Sequence, residues 1–355
     1  MPGRSDPAKV SRRWVLAGIG STGAASALAP TATALPVLAP GDDWDRVLAV
    51  TPQVQLVPGA VYTLRHSVEL PNGCLIAGNG AAVTVVTDSI GALTITGKHD
   101  ITLSDIRFLG RAEDPLNTAP VFAHIGVAIT RSTNVRVRDC DFAHWRGAGI
   151  AVTGSTADDY YAYRIKLHDN GFHRCYFGVS LADRSEYSIL SGSSFSYCRL
   201  AIWNSSGNWT INGNSVVFCY GAYYSFAKSS PYGSLTSDNW GHGTLVGNTF
   251  NHSDSGARPR WNQSAAFPIG GSAQDPGPGV VVSGVLPPTF TGNTLWYTGL
   301  RAVDLAGIRW LLSGNTFSNL SITCTGTVPV HLVGTQANGS ANLPVLNGNV
   351  NDLLG

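Results

Sequence analysis

Three aspartates recur at the same place in a short repeated pattern, and together they could form a site for polysaccharide cleavage. Asp105, Asp139 and Asp169 each stand three residues before a phenylalanine, in the strings LSDIRF, VRDCDF and LHDNGF. Neighbouring carboxylates can divide the roles of general acid and general base. Later copies of the pattern carry glycine at this position instead, at Gly192, Gly213, Gly247, Gly292 and Gly314. The column therefore favours a backbone requirement at a corner over chemistry.

Two further strings are similar to motifs of polygalacturonase-like glycosidases. They are Arg164-Ile165-Lys166 and Gly241-His242-Gly243. Here the first precedes the second, which reverses the order in those enzymes, and their Asn-Thr-Asp string is missing from the sequence. Asp158-Asp159 has no second acidic cluster at a recognisable distance. We interpret all three as chance matches and predict no catalytic residue.

Composition and spacing favour no cofactor, metal or nucleic-acid site. Charged residues make up 13% of the chain and the formal net charge is +1, whereas a nucleic-acid surface needs clustered Lys and Arg. His and Cys lack the spacing of a zinc site, and no glycine-rich phosphate loop is present. After residue 35, no stretch of the sequence is long and apolar enough to span a bilayer.

The elements that would position these residues follow from an irregular repeat. Its landmark is the apolar residue that ends each copy, and the shortest interval between landmarks is about 21 to 23 residues. The landmarks are Phe108, Phe142, Phe172, Phe195, Val216, Phe250, Leu295 and Phe317. Coils of three short strands, with insertions tolerated at the corners, fit this spacing. The sequence thus predicts an all-β fold, a right-handed parallel β-helix over residues 41–355, with insertions at about 227–243 and 251–287.

Individual positions of the repeat have predictable roles. Glycine and aspartate three residues before the landmark suit a left-handed backbone at a sharp corner, and the landmark side chains should stack inside the coil. The next position carries asparagines whose amides should form an internal hydrogen-bonded ladder: Asn170, Asn214, Asn248, Asn293 and Asn315. Cys175, Cys198 and Cys219 each lie three residues after a landmark. Side chains stacked on parallel strands are too far apart for a relaxed disulfide, so we predict buried free thiols, which argues mildly against an oxidising compartment.

Four aromatic residues are candidates for an interaction surface. Trp203 and Tyr224 occupy equivalent positions on consecutive coils, while Trp240 and Trp261 lie in the two large insertions. An outward aromatic face could bind a glycan or be buried against another subunit. The low content of charge favours the subunit interface.

Residues 1–40 admit two interpretations. Arg12-Arg13 precede a weakly apolar run, and Ala32-Thr33-Ala34 provides the small residues of a cleavage site, as in a twin-arginine export signal. Alternatively the segment is a flexible basic arm. The first interpretation predicts a protein outside a bacterial cell.

A resemblance bears on this choice. Val57–Val85 (VPGAVYTLRHSVELPNGCLIAGNGAAVTV), NGFHRCYFGVSLADRS, SSFSYCRLAIWNSSG and PPTFTGNTLWYTGLRAVDL resemble, in the same order, segments of the adenovirus large early T antigen family. Within that superfamily the chain is similar to the hexon-interlacing capsid proteins of atadenoviruses. The resemblance implies a homotrimeric β-helix without enzymatic activity. Its partners would be itself, hexon and other capsid proteins, in a virion capsid assembled in the host nucleus.

The same resemblance points to a candidate protease site in the N-terminal segment. Leu16-Ala17-Gly18-Ile19-Gly20 fits the L-x-G-x-G pattern of adenoviral maturation proteases, with cleavage between Ile19 and Gly20. We therefore favour an arm for residues 1–40. The alternative remains a Tat-exported β-helix polysaccharide lyase, hydrolase or glycan-binding protein that works through the Trp203/Tyr224 face and through His242, Asp254 or Arg258.

Overall fold

The computed structural model describes the greater part of the chain. The described residues are 34–111, 119–157, 162–225, 230–234, 242–253, 279–283, 288–303, 310–318, 321–324, 330–333, 336–337, 345–347 and 350–352. Two compact units, Met1–Ala34 and Leu35–Gly355, divide the chain. All the elements below belong to the second unit.

This unit is built almost entirely of short strands, with one short helix among the described residues. The helix is Trp44–Val50 (α1), and the Asp43 carboxylate caps it by accepting a hydrogen bond of 3.2 Å from the Arg46 N–H. The strands are Val37–Leu38 (β1), Gln53–Leu56 (β2), Val61–Leu64 (β3), Val68–Glu69 (β4), Leu75–Val85 (β5), Leu93–Thr96 (β6), His99–Leu109 (β7), Ile125–Thr130 (β8), Thr133–Arg138 (β9), Asp141–Ala143 (β10), Ala148–Thr153 (β11), Lys166–His168 (β12), Gly171–His173 (β13), Phe177–Ala182 (β14), Ser188–Ser191 (β15), Ser194–Ser196 (β16), Leu200–Asn204 (β17), Trp209–Asn212 (β18), Ser215–Val217 (β19), Gly221–Ser225 (β20), Gly243–Val246 (β21), Thr249–Asn251 (β22), Gly279–Ser283 (β23), Thr289–Thr291 (β24), Thr294–Trp296 (β25), Leu300–Val303 (β26), Trp310–Ser313 (β27), Thr316–Ser318 (β28), Ser321–Cys324 (β29), Val330–Val333 (β30), Gln336–Ala337 (β31), Val345–Asn347 (β32) and Val350–Asp352 (β33).

The strands stack into the predicted parallel β-helix, which has three faces. From β8 onward each coil contributes one strand to each face, as β15, β16 and β17 do, whereas β5 and β7 each run through the first and the second face. The first face contains β9, β12, β15, β18, β21, β24, β27, β30 and β33, and the second contains β10, β13, β16, β19, β22, β25, β28 and β31. The third face is an 11-stranded sheet running from β4 through β17 to β32. Neighbouring strands of a face pair in parallel, as β12 does with β15 and β14 with β17.

The landmark residues form the core of the second face, as the repeat predicts. Phe108, Phe142, Phe172 and Phe195 are strand partners in register. Their ring centroids lie 4.8, 5.1 and 4.6 Å apart, with interplanar angles of 7–9°. Identical side chains stack in this way because each coil presents the same environment one strand spacing further along the axis.

The corner between the first and second faces explains the aspartate column. Asp105, Asp139 and Asp169 have φ of 54–55°, and the glycines that replace them in later coils have φ of 61–64°. Asparagine, aspartate and glycine are the residues that tolerate this left-handed backbone. The three carboxylates point to solvent. The column therefore satisfies a backbone requirement, in agreement with the interpretation from sequence.

No helix among the described residues is long and apolar enough to cross a membrane.

Candidate interaction surface

Inside the corner, the asparagine column forms a continuous hydrogen-bonded ladder. The Asn214 side-chain amide donates to Asn248 Oδ1 at 3.0 Å, that of Asn248 to Asn293 Oδ1 at 2.9 Å, and that of Asn293 to Asn315 Oδ1 at 3.2 Å. Each of these oxygens also accepts the backbone N–H of the preceding ladder residue, at 2.8–3.0 Å. The amides are buried, so the ladder satisfies polar groups that water cannot reach.

Two residues that the sequence analysis did not place in this ladder extend it. The Asn170 N–H donates to Ser193 Oγ at 3.2 Å, and the Ser193 N–H donates to Asn214 Oδ1 at 3.0 Å. At the other end, the Cys140 N–H donates to Asn170 Oδ1 at 3.1 Å. Both residues stand directly after a corner residue, Gly192 and Asp139. The alignment of the repeats marks that position, although the residue types there are not asparagine.

Cys175, Cys198 and Cys219 lie in one column, fully buried and free of disulfides, as the sequence predicts. Cys175 Sγ donates to the Phe142 carbonyl at 3.5 Å, and Cys198 Sγ to the Ser196 carbonyl at 3.7 Å. Burial raises the pKa of the Cys175 thiol, and it raises the pKa of Cys74 and of Cys140 to about 12. Since the thiolate is the reactive form, Cys74, Cys140 and Cys175 act as small core residues.

The expectation that Trp203 and Tyr224 form a subunit interface is wrong. The two residues are partners in register on the outer side of the third face, with ring centroids 6.0 Å apart, as equivalent positions require. Both are nevertheless 0% exposed. They belong to a second apolar cluster with Phe177, and Phe122 and Tyr232 of the same chain pack against it. A second subunit has no access to these rings.

Hydrogen bonds between backbone groups and side chains hold the segment 230–234 over this cluster. The Ser230 N–H donates to Ser205 Oγ at 3.1 Å, and the Ser234 N–H donates to Asp183 Oδ1 at 2.9 Å. Between them, the Tyr232 carbonyl accepts from Thr153 Oγ1 at 3.2 Å. The described part of the insertion therefore lies across three preceding coils, those of β17, β14 and β11, and covers the outward aromatic residues.

Several predicted residues lie outside the described residues. Among the interface candidates these are Trp240 and Trp261. The processing site Ile19 and Gly20, the pair Asp158-Asp159, and Asp254 and Arg258 of the enzyme alternative also lie outside them. His242 is described and half-buried, and its imidazole occupies the space that a Cβ at Gly207 would need.

A different aromatic column is accessible at the corner between the second and third faces. We call Tyr197, Phe218, His252 and Tyr297 the aromatic corner. Successive ring centroids lie 5.4, 5.1 and 4.8 Å apart. Tyr297 is 37% exposed and the other three rings are half-buried. Each residue follows a landmark by two positions, so the repeat carried a signal for this column that the sequence analysis did not use.

The backbone of the aromatic corner is strained. The four residues have φ between 48° and 54°. A bulky side chain in this left-handed conformation costs about 1–2 kcal/mol relative to glycine. At the first corner the chain meets the same requirement with aspartate or glycine. The chain retains this backbone strain at four successive coils, which indicates that the aromatic rings themselves have a function.

The ends of the aromatic corner carry further groups. Arg174 precedes it in the column with φ of 50°, and its guanidinium carbon lies 5.8 Å from the centre of the Tyr197 ring. At the other end, Trp296 is 39% exposed and meets Tyr297 edge to face at 5.6 Å. A strip of partly exposed aromatic rings thus runs parallel to the solenoid axis. Such a strip can bind another protein surface or the faces of sugar rings.

Two carboxylates, one near His242 and one beside α1, are engaged within the chain or lie close to a basic group. Near His242, Glu186 Oε2 accepts from the Asn208 amide at 2.6 Å, and its Oε1 lies 3.9 Å from Arg184. A cavity of about 610 Å³ lies beside α1, and in its wall Asp45 and the His66 ring are 2.5 Å apart. These carboxylates form structural hydrogen bonds or ion pairs, and no set of three or more His, Cys, Asp or Glu among the described residues could hold a metal ion.

A buried histidine supports the layer over the third face. His124 is 0% exposed, its Nδ1 accepts the Arg146 N–H at 3.0 Å, and its ring lies 4.6 Å from that of Trp145. Desolvation lowers the pKa of His124 to about 4, against the opposing effect of Asp88. The buried imidazole is therefore neutral at pH 7.

Because of His124, we predict that the stability of the folded protein decreases in acid. Because the folded pKa lies below the unfolded value of about 6.5, the unfolded state gains a proton first as the pH falls. We expect the free energy of unfolding to decrease between pH 6.5 and pH 4, by about 2 kcal/mol from this group. Urea denaturation at several pH values measures it. His124→Gln should flatten the profile, and equal profiles for the variant and the wild-type protein would contradict this role.

Comparison with known proteins identifies the family of the chain and solved structures that share its fold. The model of the family described as adenovirus EB1 55K protein / large t-antigen matches residues 32–225. The E1B 55 kDa protein of Human adenovirus B serotype 7 is 24% identical over 176 residues, which are 47% of this chain and 32% of that protein. The match thus spans about a third of the relative.

Two solved structures share the fold at low sequence identity. One is the N-terminal fragment of bacteriophage phi29 gene product 12, with 14% identity, a TM-score of 0.50, and coverage of 88% of this chain and 63% of that chain. The other is a tailspike protein of E. coli bacteriophage HK620 in complex with a pentasaccharide, with 11% identity, a TM-score of 0.50, and coverage of 85% and 65%. At such identities the likeness concerns the fold alone.

Proposed function

Because the chain belongs to the adenovirus EB1 55K protein / large t-antigen family, we propose that it is a non-enzymatic structural protein of a virion. In this proposal three copies form a β-helix knob that interlaces and stabilises hexons on the capsid surface. Its partners are itself, hexon and other capsid proteins, and assembly takes place in the host nucleus.

The observation that carries the proposal is the strained aromatic corner. Tyr197, Phe218, His252 and Tyr297 keep left-handed backbones that glycine or asparagine would adopt with less strain. Aromatic residues are enriched in the buried centres of protein interfaces. One such strip per chain, parallel to the solenoid axis, suits three chains that pack side by side about a common axis.

Three engaged carboxylates outside the corner column of Asp105, Asp139 and Asp169 support a structural role over an enzymatic one. A glycosidase needs a pair of carboxyl groups free to face the substrate. Among the described residues, Asp183 holds the segment 230–234, Glu186 holds Asn208, and Asp45 pairs with His66. Each of these acids would have to give up a structural partner to act in catalysis.

A glycan-binding or glycan-cleaving protein outside a bacterial cell is the second candidate. The aromatic corner favours it in one respect, since sugar rings stack on partly exposed aromatic faces. The pentasaccharide complex of the structurally similar tailspike gives the idea a precedent on this fold. His242 would be its first residue to test, and His242→Ala would abolish turnover of a cleaved polysaccharide.

The oligomeric state tests the proposal. We expect full-length protein to have a native mass of about three times 37.3 kDa by light scattering. The double variant Tyr197→Asn, Tyr297→Asn should be monomeric. Asparagine tolerates φ near 50°, so the lost stacking of about 0.5–1.5 kcal/mol per ring pair is offset by relief of strain, and the melting temperature should change little.

A matched control separates assembly from folding. Gly213→Asn places the same residue at the opposite corner, where φ is 62° and the space for a Cβ is open, and it should remain trimeric. A monomeric wild-type protein would overturn the proposal. A double variant that remains trimeric would exclude the aromatic corner as the interface.

A further inference from the structure

Two cationic side chains lie side by side on the first face of the solenoid. Arg136 on β9 and Lys166 on β12 are strand partners in register. Paired strands are about 4.8 Å apart, so the two side chains leave the same outer face at adjacent positions. Arg136 is exposed and Lys166 is half-buried.

Neither cation has an acidic partner among the described residues. The ion pair nearest in sequence joins Arg138 to Asp139 at 2.8 Å and leaves Arg136 and Lys166 unpaired. Their column continues with Thr102 on one side and Ile189 on the other, which carry no charge. Like charges directly opposite one another on paired strands destabilise a sheet. A bound anion would remove this repulsion.

A histidine borders the cation pair, and a tyrosine stands three residues before Lys166 in the sequence. His168, two residues after Lys166, shares a hydrogen bond of 2.6 Å with Ser191 Oγ. Desolvation lowers the pKa of His168, Asp169 opposes this effect, and Lys166 and Arg136 lower the pKa further. Both cations therefore act on the same small area of surface. Tyr163, at the adjacent corner, is 40% exposed.

We propose that Arg136, Lys166, His168 and Tyr163 form a binding site for sulfated polysaccharide. The guanidinium and the ammonium bind one sulfate ester between them, the His168 ring borders that ester, and the Tyr163 ring contacts the neighbouring sugar. Charge-assisted hydrogen bonds from arginine and lysine suit tetrahedral oxyanions. This site is distinct from the aromatic corner and does not depend on trimer formation.

The extent of the basic surface favours a glycan over a nucleic acid. A duplex carries a continuous line of phosphates, and its binding needs a long stripe of cations. Here the unpaired cations are two in register, in a chain of net charge +1, and acidic Asp139 and Asp169 lie at the next corner positions. A flexible polysaccharide can place one sulfate at such a site while its other sulfates stay in solvent.

Calorimetric titration of the full-length protein with a heparin decasaccharide tests the site. We expect saturable binding that weakens as salt rises. Arg136→Gln combined with Lys166→Gln should reduce affinity by about tenfold or more, as the loss of two charge-assisted contacts requires. The variant should also show a shallower dependence of affinity on salt. The NMR signal of His168 should report a higher pKa when the decasaccharide is bound.

The control removes one positive charge from the same sheet. Arg107→Gln lies opposite Asp141 on the second face and should change affinity by less than about twofold, since exposed charges at a distance are screened. Thermal melting checks that all variants fold. Three results would each overturn the proposal: no binding at about 1 mM ligand, equal affinities for wild type and double variant, or tighter binding of a DNA duplex of equal length.

Discussion

Replacing Asn248 by leucine is expected to lower the free energy of unfolding by about 3 kcal/mol. The Asn248 Oδ1 accepts both the Asn214 N–H and the Asn214 side-chain amide at 3.0 Å, and its own amide donates to Ile211 and Asn293. Leucine has the same number of side-chain heavy atoms and the same branching, but it leaves the Asn214 N–H without an acceptor in the interior. Urea denaturation with an unchanged m-value measures the loss.

Serine at the same position provides the control. Ser193 accepts the Asn170 N–H within the same column at 3.2 Å, so a hydroxyl can occupy one step of the ladder. Asn248→Ser should therefore lose about half as much stability as the leucine variant, through cavity formation without a fully unsatisfied donor. A leucine variant within about 1 kcal/mol of wild type, or a serine variant that is the less stable of the two, would contradict the ladder's contribution.

Phe172→Ala is the second large expected effect. The Phe172 ring stacks between Phe142 at 5.1 Å and Phe195 at 4.6 Å and is buried. It also packs on Gly149, where a Cβ would come within 2.7 Å of the ring. Truncation leaves a cavity inside a rigid coil, and we expect a loss of about 3–5 kcal/mol.

Two companion variants isolate the stacking. Val216 and Leu295 occupy the same column in later coils, so Phe172→Leu should lose only about 1–1.5 kcal/mol. Ser194→Ala, at an exposed position beside the column, should stay within about 0.5 kcal/mol of wild type. Equal losses for the alanine and leucine variants would show that ring stacking contributes nothing beyond filling space.

The interior of this protein could be predicted from its sequence because a stack of parallel coils repeats one environment. Each coil places its landmark, its corner and its asparagine at the same points, so the residue types recur and can be aligned without knowledge of the structure. The phenylalanine stack, the left-handed corners and the column of free thiols follow from that alignment. The alignment did not identify Ser193 and Cys140 as members of the ladder. The ladder is defined by hydrogen bonds that involve the backbone N–H, and not by one residue type.

Which side chains are exposed on the outer surface could not be predicted from the sequence, because their exposure depends on contacts between residues far apart in the chain. The repeat places Trp203 and Tyr224 on the outside of the third face, and that much is correct. Whether they meet solvent depends on where the segments around Phe122 and Tyr232 return to the solenoid. The Arg136–Lys166 pair likewise arises from strand register across an irregular insertion.

The sequence by itself determined the coil and its internal columns, because these repeat at short range. Only the tertiary structure decided which outward side chains are covered and which charges meet, because loop closure and register join residues far apart in the chain.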